Sequence, residues 1–109
     1  MGAVSPSGRP DPAIAAASGA LEPPASLRAE QAGAFLREAG ARLGGLPAGG
    51  TLRLDLSALE GFDSSAVAAL VALARRANRA GASVTCLNVP PNLRKLAALY
   101  GVDRILFGE

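Results

Sequence analysis

The side chains best suited to chemistry are Asp63, Ser64 and Ser65, within Phe62-Asp63-Ser64-Ser65-Ala66. A serine hydroxyl beside a carboxylate can act as a nucleophile, accept a phosphate, or simply begin a helix. Nucleophilic attack needs a base, and the chain has no histidine. Only Lys95 or a carboxylate could take the proton of Ser64. Asp55 and Asp63 could pair as acid and base or bind a cation. Neither has neighbours in sequence that would raise its pKa or complete an oxygen cage. With no histidine and the single cysteine Cys86, a Cys/His zinc site is excluded. Gly44 to Gly50 is rich in glycine, but no Lys-Ser/Thr pair follows, so it is not a phosphate-binding loop. We therefore read the chain as a binding module, not an enzyme, with no metal and no cofactor; a stand-alone enzyme is the remotest alternative.

The elements that position this stretch follow from hydrophobic periodicity. Thr51-Leu52-Arg53-Leu54-Asp55-Leu56 alternates and predicts a strand. Leu59 and Phe62 anchor the connection that follows. From about Ser64 to Ala80 the spacing of Val67, Leu70, Val71, Ala74 and Ala77 predicts a helix packed on a sheet. Asp63 then caps free backbone N–H groups, and Ser64 stands in the first turn with its hydroxyl near the surface. Arg75, Arg76 and Arg79 lie in the last turns, where cations suit the negative end of the helix dipole. Gly81 is expected just past the end.

Towards the N-terminus, residues 1–12 are mostly Gly, Ser, Pro and Ala and are expected to form a disordered tail. Ala13 to Ala20 reads as a weak strand. A helix beginning near Pro23-Pro24 and ending at Gly44-Gly45 carries Leu27, Ala34, Phe35 and Leu43 on its inner face. Towards the C-terminus, Ser83 to Leu87 is a short strand with Cys86 in the core. Asn88 to Pro91 is a rigid loop, and Asn92 caps a helix whose buried face is Leu93, Leu96, Ala97 and Tyr100. Gly101 stops that helix, and Val102 to Phe107 is expected to dock as a last strand. Alternating strands and helices predict an α/β fold: one domain, residues 13–109, a small mixed β-sheet with helices packed on it.

Composition agrees. The 109 residues suffice for one modest core, and half are hydrophobic. With three Phe, one Tyr and no Trp, that core is Leu, Val and Ala. A net charge of +2 and few aromatics argue against nucleic acid. The lone cysteine fits a reducing compartment. The longest apolar run, Ala66 to Ala74, is less than half of the ~20 residues a membrane span needs. With no leader pattern, the chain reads as soluble and cytoplasmic.

Leu54-Asp55-Leu56-Ser57, then Phe62-Asp63-Ser64-Ser65 and the helix to Gly81, resemble the STAS domain family, which includes bacterial anti-sigma factor antagonists. Their Asp-Ser-Ser/Thr-Gly motif matches Asp63-Ser64-Ser65, so the resemblance makes Ser64 the candidate phosphoacceptor. Ser18-Gly19-Ala20-Leu21 looks like the family's Gly-Glu-Leu strand end, with Ala20 replacing the acid. Ala66 stands where antagonists usually have Gly, and its methyl is expected to occupy space that a partner would need. Val89-Pro90-Pro91-Asn92-Leu93 and Leu96-Ala97-Ala98-Leu99-Tyr100-Gly101-Val102 are more specific: they resemble the MlaB-like STAS group of the Mla phospholipid-transport system. That resemblance implies a cytoplasmic subunit, peripheral to the inner membrane, that binds an ABC transporter ATPase (MlaF-like) in a complex with a permease. It would stabilise or activate the ATPase of a system maintaining outer-membrane lipid asymmetry. The alternative is an anti-sigma factor antagonist controlled by phosphorylation of Ser64. On either reading the expected partner-binding residues are Phe62, Asp63, Ser64, Ser65, Ala68 and Arg75.

Overall fold

The computed structural model describes residues 20–108. The expected tail, residues 1–12, and most of the expected strand at 13–20 lie outside the described residues. Among the described residues there are five strands: β1 (Ala20–Leu21), β2 (Ser26–Leu27), β3 (Thr51–Asp55), β4 (Gly61–Phe62) and β5 (Ser83–Leu87). The helices among the described residues are α1 (Ala29–Gly44), α2 (Ser64–Arg79), α3 (Pro91–Leu99) and α4 (Asp103–Phe107). β1, β3 and β5 form one sheet in that order, and β2 and β4 form a second, small one. A mixed sheet was the expectation; among the described strands every pairing is parallel.

Parallel neighbours need crossovers, and α1 and α2 supply them. Both crossovers step the same way across the sheet, from β1 to β3 to β5. Right-handed crossovers in one direction put both helices on one face, and α1 packs against α2 there. The burial of β3 records the result. Leu52 and Leu54 are buried beneath the helices, while Thr51 and Arg53 are exposed on the opposite face. On that face Thr51 Oγ1 and Ser83 Oγ share a hydrogen bond at 3.1 Å.

The core is aliphatic. Leu27, Leu52, Leu54, Leu56, Leu70, Leu73 and Leu93 are its largest fully buried side chains. Phe35, Ala39 and Leu43 contribute the inner stripe of α1. Truncating one such leucine to alanine typically costs about 2–5 kcal/mol, a large part of a small domain's stability.

Several local expectations are corrected. Leu27 is buried as expected but belongs to β2, because Arg28 is already extended and the helix starts at Ala29. Gln31 Oε1 accepts the Arg28 N–H at 2.9 Å and the Ser26 hydroxyl at 3.2 Å, which satisfies the helix start without Pro23-Pro24. Ala34 faces solvent. β2 and β4 were not expected: two-residue strands carry no periodicity to read. Pro91 is the first residue of α3, so its missing N–H costs nothing there, and Pro90 rather than Asn92 occupies the cap position. Val102 to Phe107 is not a strand. Asp103–Phe107 forms a short helix that buries Leu106 and leaves Ile105 61% exposed.

Candidate functional site

Two acids hold backbone turns, one at the end of β3 and one at the start of α2. At the end of β3, Asp55 Oδ1 accepts the Ser57 N–H at 3.0 Å and the Asn88 side-chain amide at 3.0 Å. Asn88 has a left-handed φ of 55°, a conformation that Asn tolerates well. The end of β3 is thereby tied to the end of β5. At Asp63 the backbone is extended, and its carboxylate Oδ1 accepts the Ser65 N–H at 2.9 Å. Both acids are thus engaged with the backbone. Asp55 links the ends of two strands and Asp63 caps a helix, which are structural contacts.

Ser64 is exposed at the first helical position, as its place after the cap requires. Lys95, the one lysine that could serve as a base, lines a different groove, with Val89, Pro91 and Asp103. Among the described residues no group of His, Cys, Asp or Glu side chains could hold a metal ion. Cys86 is also removed from chemistry. It packs on the core, and burial pushes its thiol pKa up to about 11, against a smaller lowering by Arg94. A thiol held protonated is a poor nucleophile.

The face offers contact surface. Ser64, Ala68 and Arg75 are exposed along one side of α2. A groove of about 490 Å³ runs along one flank, lined by Ser64, Val67, Ala68, Val71, Ala72 and Arg75 of α2 and by Tyr100 and Val102. A second groove of about 320 Å³ runs along the other flank, between Ser65, Ala68 and Ala69 of α2 and Ala29, Ala32, Gly33 and Leu36 of α1. Ala68 borders both. Arg75 is the one charged side chain lining either groove.

Of the six expected contact residues, Ser64, Ser65, Ala68 and Arg75 are brought together here. Asp63 is exposed beside them and holds the helix start. Phe62 stands apart: it is half-buried in β4, packs on the core and lines neither groove. Sequence reasoning missed Tyr100 and Val102. Tyr100 lies seven residues past Leu93, on the inner face of any helix that continues through it. But α3 ends at Leu99, and Gly101 takes φ 72°. The chain turns, and Tyr100 is left 55% exposed. The expectation for Ala66 is also corrected. Its methyl is completely buried in the domain's own core rather than standing at the surface.

No helix among the described residues is long and apolar enough to cross a membrane. No curated protein matches the chain. The family model described as Mlab, STAS domain matches residues 13–107. That match covers most of the chain, and the parallel strands and helices of the described residues agree with a single α/β domain of this kind, so the chain belongs to the MlaB-like STAS domain family.

Proposed function

We propose that this chain is a non-catalytic cytoplasmic subunit that docks on the ATPase of an inner-membrane phospholipid ABC transporter. On this reading it stabilises or activates that ATPase, serves a system maintaining outer-membrane lipid asymmetry, and reaches the membrane only through its partner. The observation that carries the reading is the outer face of α2. Ser64, Ala68 and Arg75 stand exposed between two apolar grooves, and the neighbouring Asp63 carboxylate is engaged in capping the helix. The family match supports a STAS-type, MlaB-like domain; the class of partner is what we infer from that kinship.

Ser64→Glu tests it. In the free domain a carboxylate at a helix N-terminus is neutral or stabilising, by about 0.3–1 kcal/mol. Inside a closed interface the same charge must lose its water, at a cost of several kcal/mol, or orders of magnitude in affinity. The expected result is an unchanged or higher thermal midpoint together with loss of binding to the transporter ATPase of the source organism. Retained affinity and retained fold would place the interface elsewhere.

A second reading, an anti-sigma factor antagonist, is favoured by the exposure of Ser64, which leaves its hydroxyl open to a kinase. The burial of Ala66 removes the steric objection to it. One phosphate on Ser64 in protein isolated from cells, with no ATPase bound, would select that reading.

A further inference from the structure

Resting on the ATPase-docking reading, we propose that the larger groove receives an amphipathic segment of that ATPase, and that a carboxylate on this segment pairs with Arg75. The groove lies between α2 and the corner where α3 passes into α4. Val67, Val71 and Val102 make its floor apolar, and Tyr100 forms part of the opposite wall. Such a lining selects aliphatic side chains. At one end stands Ser64, at the other Arg75, eleven residues along the same helix. At 1.5 Å per residue these ends are about 16 Å apart, the length of roughly three helical turns.

Charge decides what sits at the Arg75 end. Arg75 is exposed, and Arg76 and Arg79 follow it in the last turns of α2. No acidic side chain lines this groove. Among nearby acids, Asp63 caps the opposite end of α2, and Asp103 lines the groove that holds Lys95. The surface is thus apolar along its length and positive at one end. Its complement is an aliphatic segment with an Asp or Glu about three turns from the residue that meets Ser64. The guanidinium fork favours a carboxylate held in two-point contact.

The test measures binding of the intact chain to the purified ATPase over a sodium chloride series, with thermal midpoints for every variant. Arg75→Glu is expected to weaken binding by about tenfold or more and to flatten the salt dependence. Arg75→Lys keeps the charge and should lose less. Arg79→Glu, one turn beyond the groove, should change affinity by no more than about threefold. If Arg75→Glu behaves like Arg79→Glu while Ser64→Glu still abolishes binding, the carboxylate pairing is wrong and the docking face stands. If wild type does not bind the ATPase, or if neither Ser64→Glu nor Arg75→Glu alters its affinity, both proposals fall.

Discussion

Replacing Tyr100 and Leu93 separately by alanine asks whether the turn that follows α3 presents one wall of the groove. Hydrophobic spacing assigns both residues to the same inner face. The structure separates them: Leu93 is 0% exposed and Tyr100 is 55% exposed. Leu93→Ala removes buried methyl groups and leaves a cavity beneath α3, which costs about 2–5 kcal/mol. For a domain of this size each kcal/mol shifts the thermal midpoint by about 4–8 °C. The midpoint should therefore fall by about 10 °C or more. Tyr100→Ala removes a ring that is already more than half in water, so its cost should stay near that of a surface substitution, within about 1 kcal/mol. The midpoint should then move by only a few degrees. Thermal unfolding followed by circular dichroism gives both numbers, and ATPase binding separates the roles further. Tyr100→Ala should weaken binding although the fold is intact. If Tyr100→Ala destabilises the domain as much as Leu93→Ala, the ring is part of the core. The groove would then lack its far wall, and the assignment of its contacts would fail.

Asp63→Ala should lower stability by about 1 kcal/mol through loss of the Ser65 cap, with α2 otherwise retained; no change in the urea midpoint would show that the cap contributes nothing. Cys86 should resist alkylation in the folded protein until the pH approaches about 11, whereas the unfolded chain reacts near the ordinary thiol pKa of 9.0. The sign follows from linkage. Below pH 9 both states hold the proton and stability is independent of this group. Between 9 and 11 only the unfolded state releases it, so stability falls, by up to roughly 2–3 kcal/mol. A Cys86→Ala variant losing stability just as steeply over that window would refute the assignment.

Legibility in the sequence tracked the length of each element. β3 and β5 each have five residues, and α1 and α2 sixteen each. Over such lengths a period of 2 or 3.6 repeats often enough to be read. The capping role of Asp63 was also legible, because a short acid before a helical run has one dominant use. β2 and β4 were not legible, since pairing Ser26-Leu27 with Gly61-Phe62 is a long-range event without a local signal. The C-terminus failed for another reason. Ile105-Leu106-Phe107 is composed like a strand, yet Val102 accepts the Leu106 N–H at 3.0 Å and closes a helical turn instead. At the site, the residues on α2 could be found by counting along one helix. Tyr100, Val102 and the α1 wall could not, because they join the site only through packing.

The position of the exposed face follows from topology. Successive crossovers in one direction place α1 and α2 side by side over β3 and β5, with α3 and α4 closing the far flank. A helix held between neighbours on both flanks buries its inner stripe and presents its outer one. The inner stripe here is Ala66, Val67, Ala69, Leu70, Leu73 and Ala77, a continuous aliphatic surface. The outer stripe begins at Ser64, immediately after the Asp63 cap that opens α2. Placing the serine there puts it on a helix rather than on a loop, which on the docking reading would give a partner a rigid landmark. It also separates stability from recognition. On the docking reading, a charge added at Ser64 would enter solvent in the free domain and an interface in the complex, so one substitution would break binding while the fold persists. The two grooves exist for the same geometric reason. The outer residues of α2 are small at Ala68 and Ala72, so the neighbouring elements leave clefts on both sides. Filling that surface with larger side chains, as in Ala68→Leu, would leave the inner stripe untouched and would change the shape that a partner meets.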